Sequence, residues 1–268
     1  MPELPEVETV RRILKGQIIN RKIKDVKVLW DNILINDKDY FIKHIINQTF
    51  EDIRRRGKWL VFVLDDYYLL SHLRMEGKYF LKNHDEEILK HEHVIFTLDN
   101  GMDLRYHDTR KFGKMNLIHK KDDIEDYINL GLEPFDKHLN SSYLENKWKK
   151  NNKEIKTALL DQTVIAGIGN IYADEILFAS RISPFKKAKD LTLDDLNKII
   201  KYTRLILEKA IEAGGTTIRS YTSSLGVTGR FQRELQVHTK EVCPVCGFYI
   251  IKTKVGGRGT YYCERCQK

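Results

Sequence analysis

The most chemically committed residues of this 268-residue chain lie at its two ends. Cys243-x2-Cys246 is followed, sixteen residues later, by Cys263-x2-Cys266, and the chain has no other cysteine. Two thiolates two residues apart chelate one ion from a tight knuckle, and a stretch of this length can form a hairpin that returns the second pair. The spacing predicts one structural zinc ion held by Cys243, Cys246, Cys263 and Cys266. Four protein ligands leave no open position for a substrate water, so the metal holds a fold and performs no chemistry. Between the pairs stand Lys252, Lys254, Gly256, Gly257, Arg258 and Gly259. Cations on a glycine-rich tip suit close approach to a phosphate backbone, and they also suit an ordinary solvated turn.

At the other end Pro2 follows the initiator methionine and precedes Glu3. Removal of Met1 would free a secondary amine. An α-amino group titrates at about 7.7–8.0, well below lysine, so an unprotonated fraction exists near neutrality. Such an amine attacking a sugar C1′ gives an iminium, as lysine does in Schiff-base enzymes, and Glu3 stands beside it as an acid or base. Taken alone, Pro-Glu also reads as a helix lead-in.

The elements that must position these groups change character along the chain. A first helix is expected from Pro5, with Val7, Val10, Ile13 and Leu14 at helical spacing, Glu6 and Glu8 in its first turn, and Gly16 as its stop. From about 22 to 120 the pattern is strand. Lys58–Leu64 and Tyr67–Leu73 flank an Asp-Asp turn, Val94–Leu98 and Met102–Tyr106 flank Asn100-Gly101, and Phe112–His119 follows. So many short strands predict a sandwich or barrel. From about Ile124 the pattern turns helical, with short helices over Ile155–Leu160 and Ile171–Ala179. The clearest helix spans Thr192–Ala213, opened by a Thr192/Asp195 capping pair and ended by Gly214-Gly215. A glycine-, serine- and threonine-rich stretch, 214–229, reads as a mobile loop, and the tail from Glu234 as a β-type segment around the cysteines.

Bulk properties narrow the class. Hydrophobic residues make up 41% of the chain, enough for a real core, which excludes global disorder. The net charge is +8 and the pI near 9.1, which fits a polyanionic partner or a basic surface kept for solubility. Charge runs through the N-terminus, unlike a secretory signal. No apolar run reaches a membrane span, and cysteines confined to the tail fit a reducing compartment. A soluble, cytoplasmic protein is expected.

The ordered motifs then carry a resemblance. Pro2-Glu3-Leu4-Pro5-Glu6-Val7-Glu8-Thr9 resembles the N-terminal signature of bacterial formamidopyrimidine-DNA glycosylases. The likeness continues through Gly57-Lys58, His72-Leu73-Arg74-Met75-Glu76-Gly77, His91-Glu92-His93-Val94 and Asp108-Thr109-Arg110-Lys111-Phe112-Gly113. It runs on through Gly167-Ile168-Gly169-Asn170-Ile171-Tyr172, Gly214-Gly215-Thr216-Thr217 and Glu234-Leu235-Gln236-Val237 to the cysteine tail. The resemblance implies an α+β chain: an N-terminal β-sandwich flanked by helices over residues 1–125, a helix–two-turn–helix DNA-binding domain over 126–233 that includes a lesion-capping loop, and a four-cysteine zinc finger over 234–268. It also implies DNA in a cleft, with the damaged nucleotide turned out of the duplex.

The same resemblance implies roles. Pro2 matches the nucleophile at C1′, and Glu3 the acid/base assisting ring opening. Lys58 matches a strand lysine that contacts phosphate and helps elimination. Arg258 matches the finger arginine that grips the phosphates flanking the lesion, and is placed with the catalytic set. Met75, Arg110 and Phe112 match the residues that fill the gap left by a flipped base: a pliable plug, a donor for the orphaned partner base and a wedge. His91, in preference to His93, matches a phosphate-contacting histidine, and Asn170 a phosphate-binding asparagine beside the Gly167/Gly169 turn. Lys153 is placed with these DNA contacts. Lys111 stands where many relatives have a second arginine, Glu76 is either a pocket residue or a surface strand glutamate, and the segment 220–233 would cap the extruded base. The activity implied is a monomeric, bifunctional DNA glycosylase and abasic-site lyase. It acts on double-stranded DNA carrying oxidised purines or abasic sites and needs no redox or nucleotide cofactor. The alternatives are an endonuclease VIII-type enzyme for oxidised pyrimidines, against which Leu4 and the Met75/Arg110/Phe112 set speak, and a non-catalytic zinc-ribbon DNA binder.

Overall fold

A computed structural model describes residues 1–216 and 229–268, so residues 217–228, most of the expected base-capping segment, lie outside the described residues. The described chain falls into two compact units, one built from Met1–Ile128 and the other from Asn129–Thr216 with Arg230–Lys268.

The first unit opens with α1 (Leu4–Ile18). Glu3 caps it: its N–H donates to Glu6 Oε2 at 2.9 Å, and its own carboxylate receives the N–H of Glu6. Pro5 therefore falls at the second helical position rather than the first, and Glu8 lies beyond the first turn, paired with Arg11 and Arg12. Gly16 does not stop the helix. A glycine costs about 1 kcal/mol there, but Leu14 and Ile18 are buried in the core and carry the helix through it. Eight strands follow: β1 (Ile23–Val28), β2 (Asp52–Arg56), β3 (Trp59–Val63), β4 (Tyr67–His72), β5 (Lys78–Asn83), β6 (Glu92–Leu98), β7 (Met102–His107) and β8 (Lys114–His119). They form two antiparallel sheets of four, in the orders β1-β6-β7-β5 and β2-β3-β4-β8. Phe96, Leu104 and Tyr106 from the first and Leu60, Phe62, Leu69 and Leu117 from the second share one core with α1, the expected sandwich. Each such fully buried apolar side chain contributes about 1.5–3 kcal/mol relative to exposure.

One element breaks the strand pattern. α2 (Lys38–Ile45) is capped by Asp37, which accepts the N–H groups of Asp39 and Tyr40, and buries Phe41 and Ile45 one helical turn apart. The last strand begins at Lys114 and not at Phe112, because 108–113 is a loop held by Asp108.

The second unit contains α3 (Ser141–Trp148), α4 (Ile155–Leu159), α5 (Asn170–Ser180) and α6 (Leu193–Glu212), then the hairpin β9 (Ile251–Val255) and β10 (Arg258–Tyr262). The Thr192/Asp195 capping box is present at the start of α6. Phe178 of α5 packs with Val237, Cys243 and Cys263, so the cysteine tail shares a core with the helices. Glu175 fastens the approach to that tail by accepting the N–H groups of Gln236, Val237 and His238 at 2.9, 3.0 and 2.8 Å.

Candidate functional site

In the first unit Pro2 lies ahead of α1 outside any helix or strand, half-buried, with Met1 50% exposed in front of it. Glu3 is buried, with its carboxylate receiving the Glu6 N–H at the N-terminus of α1. Lys58 is also buried, in the turn between β2 and β3 just after Gly57, whose φ is +56°.

Two loops of this unit carry Met75, Arg110 and Phe112. Met75 and Phe112 are 39% and 49% exposed, so neither is a core residue. The first loop, 73–77, takes the left-handed conformation at Arg74, φ +53°, and His72 Nδ1 accepts the Arg74 N–H at 2.9 Å. Burial, with the nearby charges of Arg74 and Lys58, depresses His72 to about 3, so the ring is neutral and can accept. The second loop, 108–113, turns at Lys111, φ +58°. The buried Asp108 carboxylate holds it by accepting the N–H of Arg110 at 3.0 Å and those of Phe112 and Gly113 at 2.9 Å each. Arg110 then stacks its guanidinium 4.8 Å from the Phe112 ring centre, while the Lys111 ammonium faces Trp30 at 5.5 Å. Glu76, exposed in the first loop rather than on a strand, hydrogen-bonds Thr109 of the second.

The two histidines part company. His93 is buried, its Nε2 bonded to Asp108 O at 2.8 Å, and burial holds its pKa below the usual range. His91 is partly exposed at φ +72°, with its ring 6.2 Å from His93 and 5.9 Å from His107. Arg74, His91 and Lys111 are thus left-handed non-glycine residues on loops that carry the candidate contacts. Such conformations cost of order 1–3 kcal/mol and cluster at binding sites.

In the second unit Asn170 is the first residue of α5, capped by Gly169 after a turn that Gly167 enters at φ +92°. Gln162 braces the turn: its Oε1 accepts the Gly167 N–H at 2.9 Å and its Nε2 donates to Leu160 O and Ile168 O. Asn170 Nδ2 donates to Gly259 O at 2.8 Å, joining the start of α5 to the strand that begins at Arg258. Arg258 is exposed beside the Gly256-Gly257 tip, both glycines at positive φ. Lys153 is exposed ahead of α4 and its N–H donates to Asn151 Oδ1.

The four cysteine Sγ atoms lie within 4.8 Å of one another, with Cys246 to Cys263 at 3.5 Å and Cys243 to Cys266 at 3.8 Å. Those separations are too long for disulfides. They match the edge of about 3.8 Å of a tetrahedron built on Zn–S bonds of about 2.3 Å. Gly247, at φ +70°, lets the first knuckle close with its N–H on Cys243 O. The donor set fits one structural zinc ion.

Sequence reasoning singled out no role for Asp108, His72, Gln162 or Lys156. Asp108 followed by a short polar loop was the one local signal for such an anchor. The other three act through the folded backbone of neighbouring segments.

Comparison with known proteins agrees along the whole chain. Residues 1–115 match the formamidopyrimidine-DNA glycosylase N-terminal domain, 130–222 the H2TH domain of the same enzymes, and 240–268 the zinc finger found in FPG and IleRS. The formamidopyrimidine-DNA glycosylase of Bacillus anthracis is 45% identical over 100% of this chain and 99% of its own length. That of Bacillus licheniformis is 46% identical, with both chains fully covered. The Lactococcus lactis Fpg in complex with abasic-site DNA is 40% identical with a TM-score of 0.93, covering 99% of each chain. A mutant of that enzyme bound to Fapy-dG-containing DNA gives a TM-score of 0.94 at 40% identity over all of both chains. The chain belongs to the formamidopyrimidine-DNA glycosylase family, whose members are DNA-repair glycosylases.

Proposed function

We propose that the chain is a bifunctional glycosylase and abasic-site lyase that removes oxidised purines, 8-oxoguanine and formamidopyrimidines, from double-stranded DNA. The carrying observation is Pro2, partly exposed outside any helix or strand, directly ahead of a buried carboxylate that caps α1. With Met1 removed, the Pro2 nitrogen is a secondary amine. It bonds to C1′ of the damaged nucleotide while the glycosidic bond breaks and the base leaves with a proton. Glu3 supplies the proton that opens the sugar ring, giving an iminium between Pro2 and C1′. Loss of a C2′ proton then expels the 3′ phosphate, and a second elimination expels the 5′ phosphate. Water releases the proline from the sugar remnant, and a one-nucleotide gap with phosphate ends remains. Lys58 and Arg258 steady the phosphates and assist these eliminations. No step needs an oxidant or a nucleotide.

Flipping a base costs a few kcal/mol, least at a damaged pair. Met75, Arg110 and Phe112 offset that cost by occupying the vacated space, and the Arg110–Phe112 stack presents donor and wedge together. His91, Lys153 and Asn170 hold the backbone. Binding should therefore be strongly salt-dependent. The enzyme acts as a cytoplasmic monomer on the nucleoid.

Borohydride trapping on an 8-oxoguanine duplex tests this reading. A covalent adduct is expected with the wild-type chain lacking Met1 and none with Pro2→Gly, while Pro2→Gly binds the duplex normally. Absence of an adduct with the processed wild type sinks the enzyme reading. Faster cleavage of a thymine glycol duplex than of the 8-oxoguanine duplex moves the substrate to oxidised pyrimidines.

A further inference from the structure

Tyr106, on β7, is a wholly buried tyrosine whose hydroxyl reaches the backbone of both loops that carry Met75, Arg110 and Phe112. A Cβ placed on Gly113, at the end of the 108–113 loop, would stand 1.8 Å from Tyr106 Oη and 2.7 Å from its Cζ. A Cβ on Gly77, at the end of the 73–77 loop, would stand 2.2 Å from the same oxygen. Real Cβ atoms do not approach so closely. Neither glycine takes a positive φ. The three atoms nearest a Cβ at Gly113 all belong to Tyr106, and those nearest a Cβ at Gly77 are Tyr106 Oη, Leu73 O and Tyr106 Cζ. Tyr106 cannot swing aside, because its ring is fully enclosed and packs edge-on against Tyr79 at 5.1 Å.

Each loop is also fixed at its own root, the first by His72 on the Arg74 N–H and by the Gly77 N–H on Leu73 O, the second by Asp108. The Glu76–Thr109 bond joins the loops on their exposed side. Their separation is thus set from inside by one oxygen and from outside by one side-chain pair. We propose that Tyr106 is a positioning residue: its hydroxyl is the spacer that holds the Met75 tip and the Arg110/Phe112 tip at the distance needed to enter a duplex in place of an extruded base. The proposal rests on the void-filling role given above to those three residues. Two glycines are required because a spacer this tight admits no side chain on either loop.

The test separates duplex invasion from chemistry. Single-turnover excision is measured on an 8-oxoguanine duplex, and strand cleavage on a single-stranded oligonucleotide with a pre-formed abasic site, which leaves no void to fill. The chains compared are wild type, Met75→Ala, Tyr106→Phe, Gly113→Ala and the Tyr106→Phe/Gly113→Ala double variant. Tyr79→Phe serves as a control, since it removes a different buried hydroxyl of the same core, one bonded to Ser71. A displacement near 1 Å at a site of this kind costs up to about a hundredfold in rate. Tyr106→Phe should slow duplex excision by about tenfold and Gly113→Ala by more, with single-strand cleavage within about twofold of wild type in both. The double variant should be faster on the duplex than Gly113→Ala alone, because removing the oxygen relieves the 1.8 Å collision and leaves only the milder 2.7 Å approach to Cζ. Tyr79→Phe should match wild type on both substrates.

Duplex excision by Tyr106→Phe at the wild-type rate overturns the proposal. So does an equal loss on both substrates, or a double variant slower than Gly113→Ala. If Met75→Ala also excises normally, the void-filling reading has failed. If Met75→Ala is impaired and Tyr106→Phe is not, only the spacer has failed.

Discussion

Lys156 Nζ lies 2.5 Å from Asp174 Oδ1, and both side chains are wholly buried. The pair joins α4 to α5 at the point from which Asn170 and the finger are organised. Nζ also donates to Asn170 O at 2.7 Å, and Asp174 Oδ2 meets His238 Nδ1 at 2.7 Å. Removing one partner leaves an uncompensated charge in a dry site, which costs about 3–5 kcal/mol. Lys156→Met should therefore destabilise the fold by about that amount. Lys156→Met with Asp174→Asn should cost less than the sum of the single changes. Urea denaturation of the four chains measures both, and additive costs would show that the pair is not coupled.

The hairpin tip gives a second prediction. Gly256 has φ +54°, and a Cβ there would stand 2.3 Å from Thr157 Oγ1 on α4. Gly256→Ala combines left-handed strain of about 1–2 kcal/mol with that collision, and must lift the tip and Arg258 off α4. Arg258→Ala should weaken binding to all duplexes and reduce the slope of log K against log salt by about one, the signature of one lost phosphate contact. Gly256→Ala should reproduce the change in slope while leaving Arg258 in place. Filter binding at several salt concentrations decides; an unchanged slope in Gly256→Ala would mean that the tip does not position Arg258.

His72 makes stability depend on pH. Its folded pKa is depressed to about 3, chiefly by burial, against about 6.5 when unfolded. Between those values the unfolded chain binds the extra proton, so stability rises with pH through this window and falls as pH drops below about 6.5. The slope from this one group approaches about 1.4 kcal/mol per pH unit. His72→Asn, which keeps an acceptor for the Arg74 N–H but cannot be protonated, should flatten the curve between pH 4 and 6.5, in about the unfolded-histidine range. Melting temperatures across that range check it, and parallel curves for the two chains would assign the acid sensitivity elsewhere.

What the sequence made legible was whatever depends on near neighbours in the chain. The cysteine pairs, the Thr192/Asp195 cap and the Asn100-Gly101 hairpin carry their geometry in a few consecutive residues, and each stands as expected. α2 escaped because its apolar face is only Phe41 and Ile45, too little periodicity against a background of strands. Gly16 misled because core packing of Ile18 outweighs a local propensity. The anchors of the candidate site escaped for a deeper reason. Asp108 left only the weak signal of an acid before a short polar loop, while His72, Tyr106 and Lys156 satisfy or exclude backbone groups, and the identity of a backbone partner leaves no mark in a sequence. Met75 and Phe112 were separated from core residues only by the resemblance; their exposure now separates them physically.

The zinc site yields the last prediction. Cys243 and Cys263 are buried with Phe178 and Val237, so the four-cysteine site and a small apolar cluster share residues in the second unit. That cluster is too small to order the tail alone. The ion must supply most of the ordering free energy, and structural zinc in finger peptides contributes about 10–16 kcal/mol near neutral pH. Stripping zinc with a chelator should release one ion per chain, expose four thiols and abolish the β9–β10 hairpin, taking Arg258 out of place. DNA binding should fall with the zinc content, whereas the sandwich of the first unit, which shares no residue with the site, should keep its hydrogen-exchange protection. Cys246→Ser should do the same in part, because Cys246 is the exposed ligand and the other three thiolates remain. Atomic absorption, thiol titration and exchange measured on one sample decide the matter. Full duplex binding by zinc-free protein would show that the finger keeps its shape without the metal.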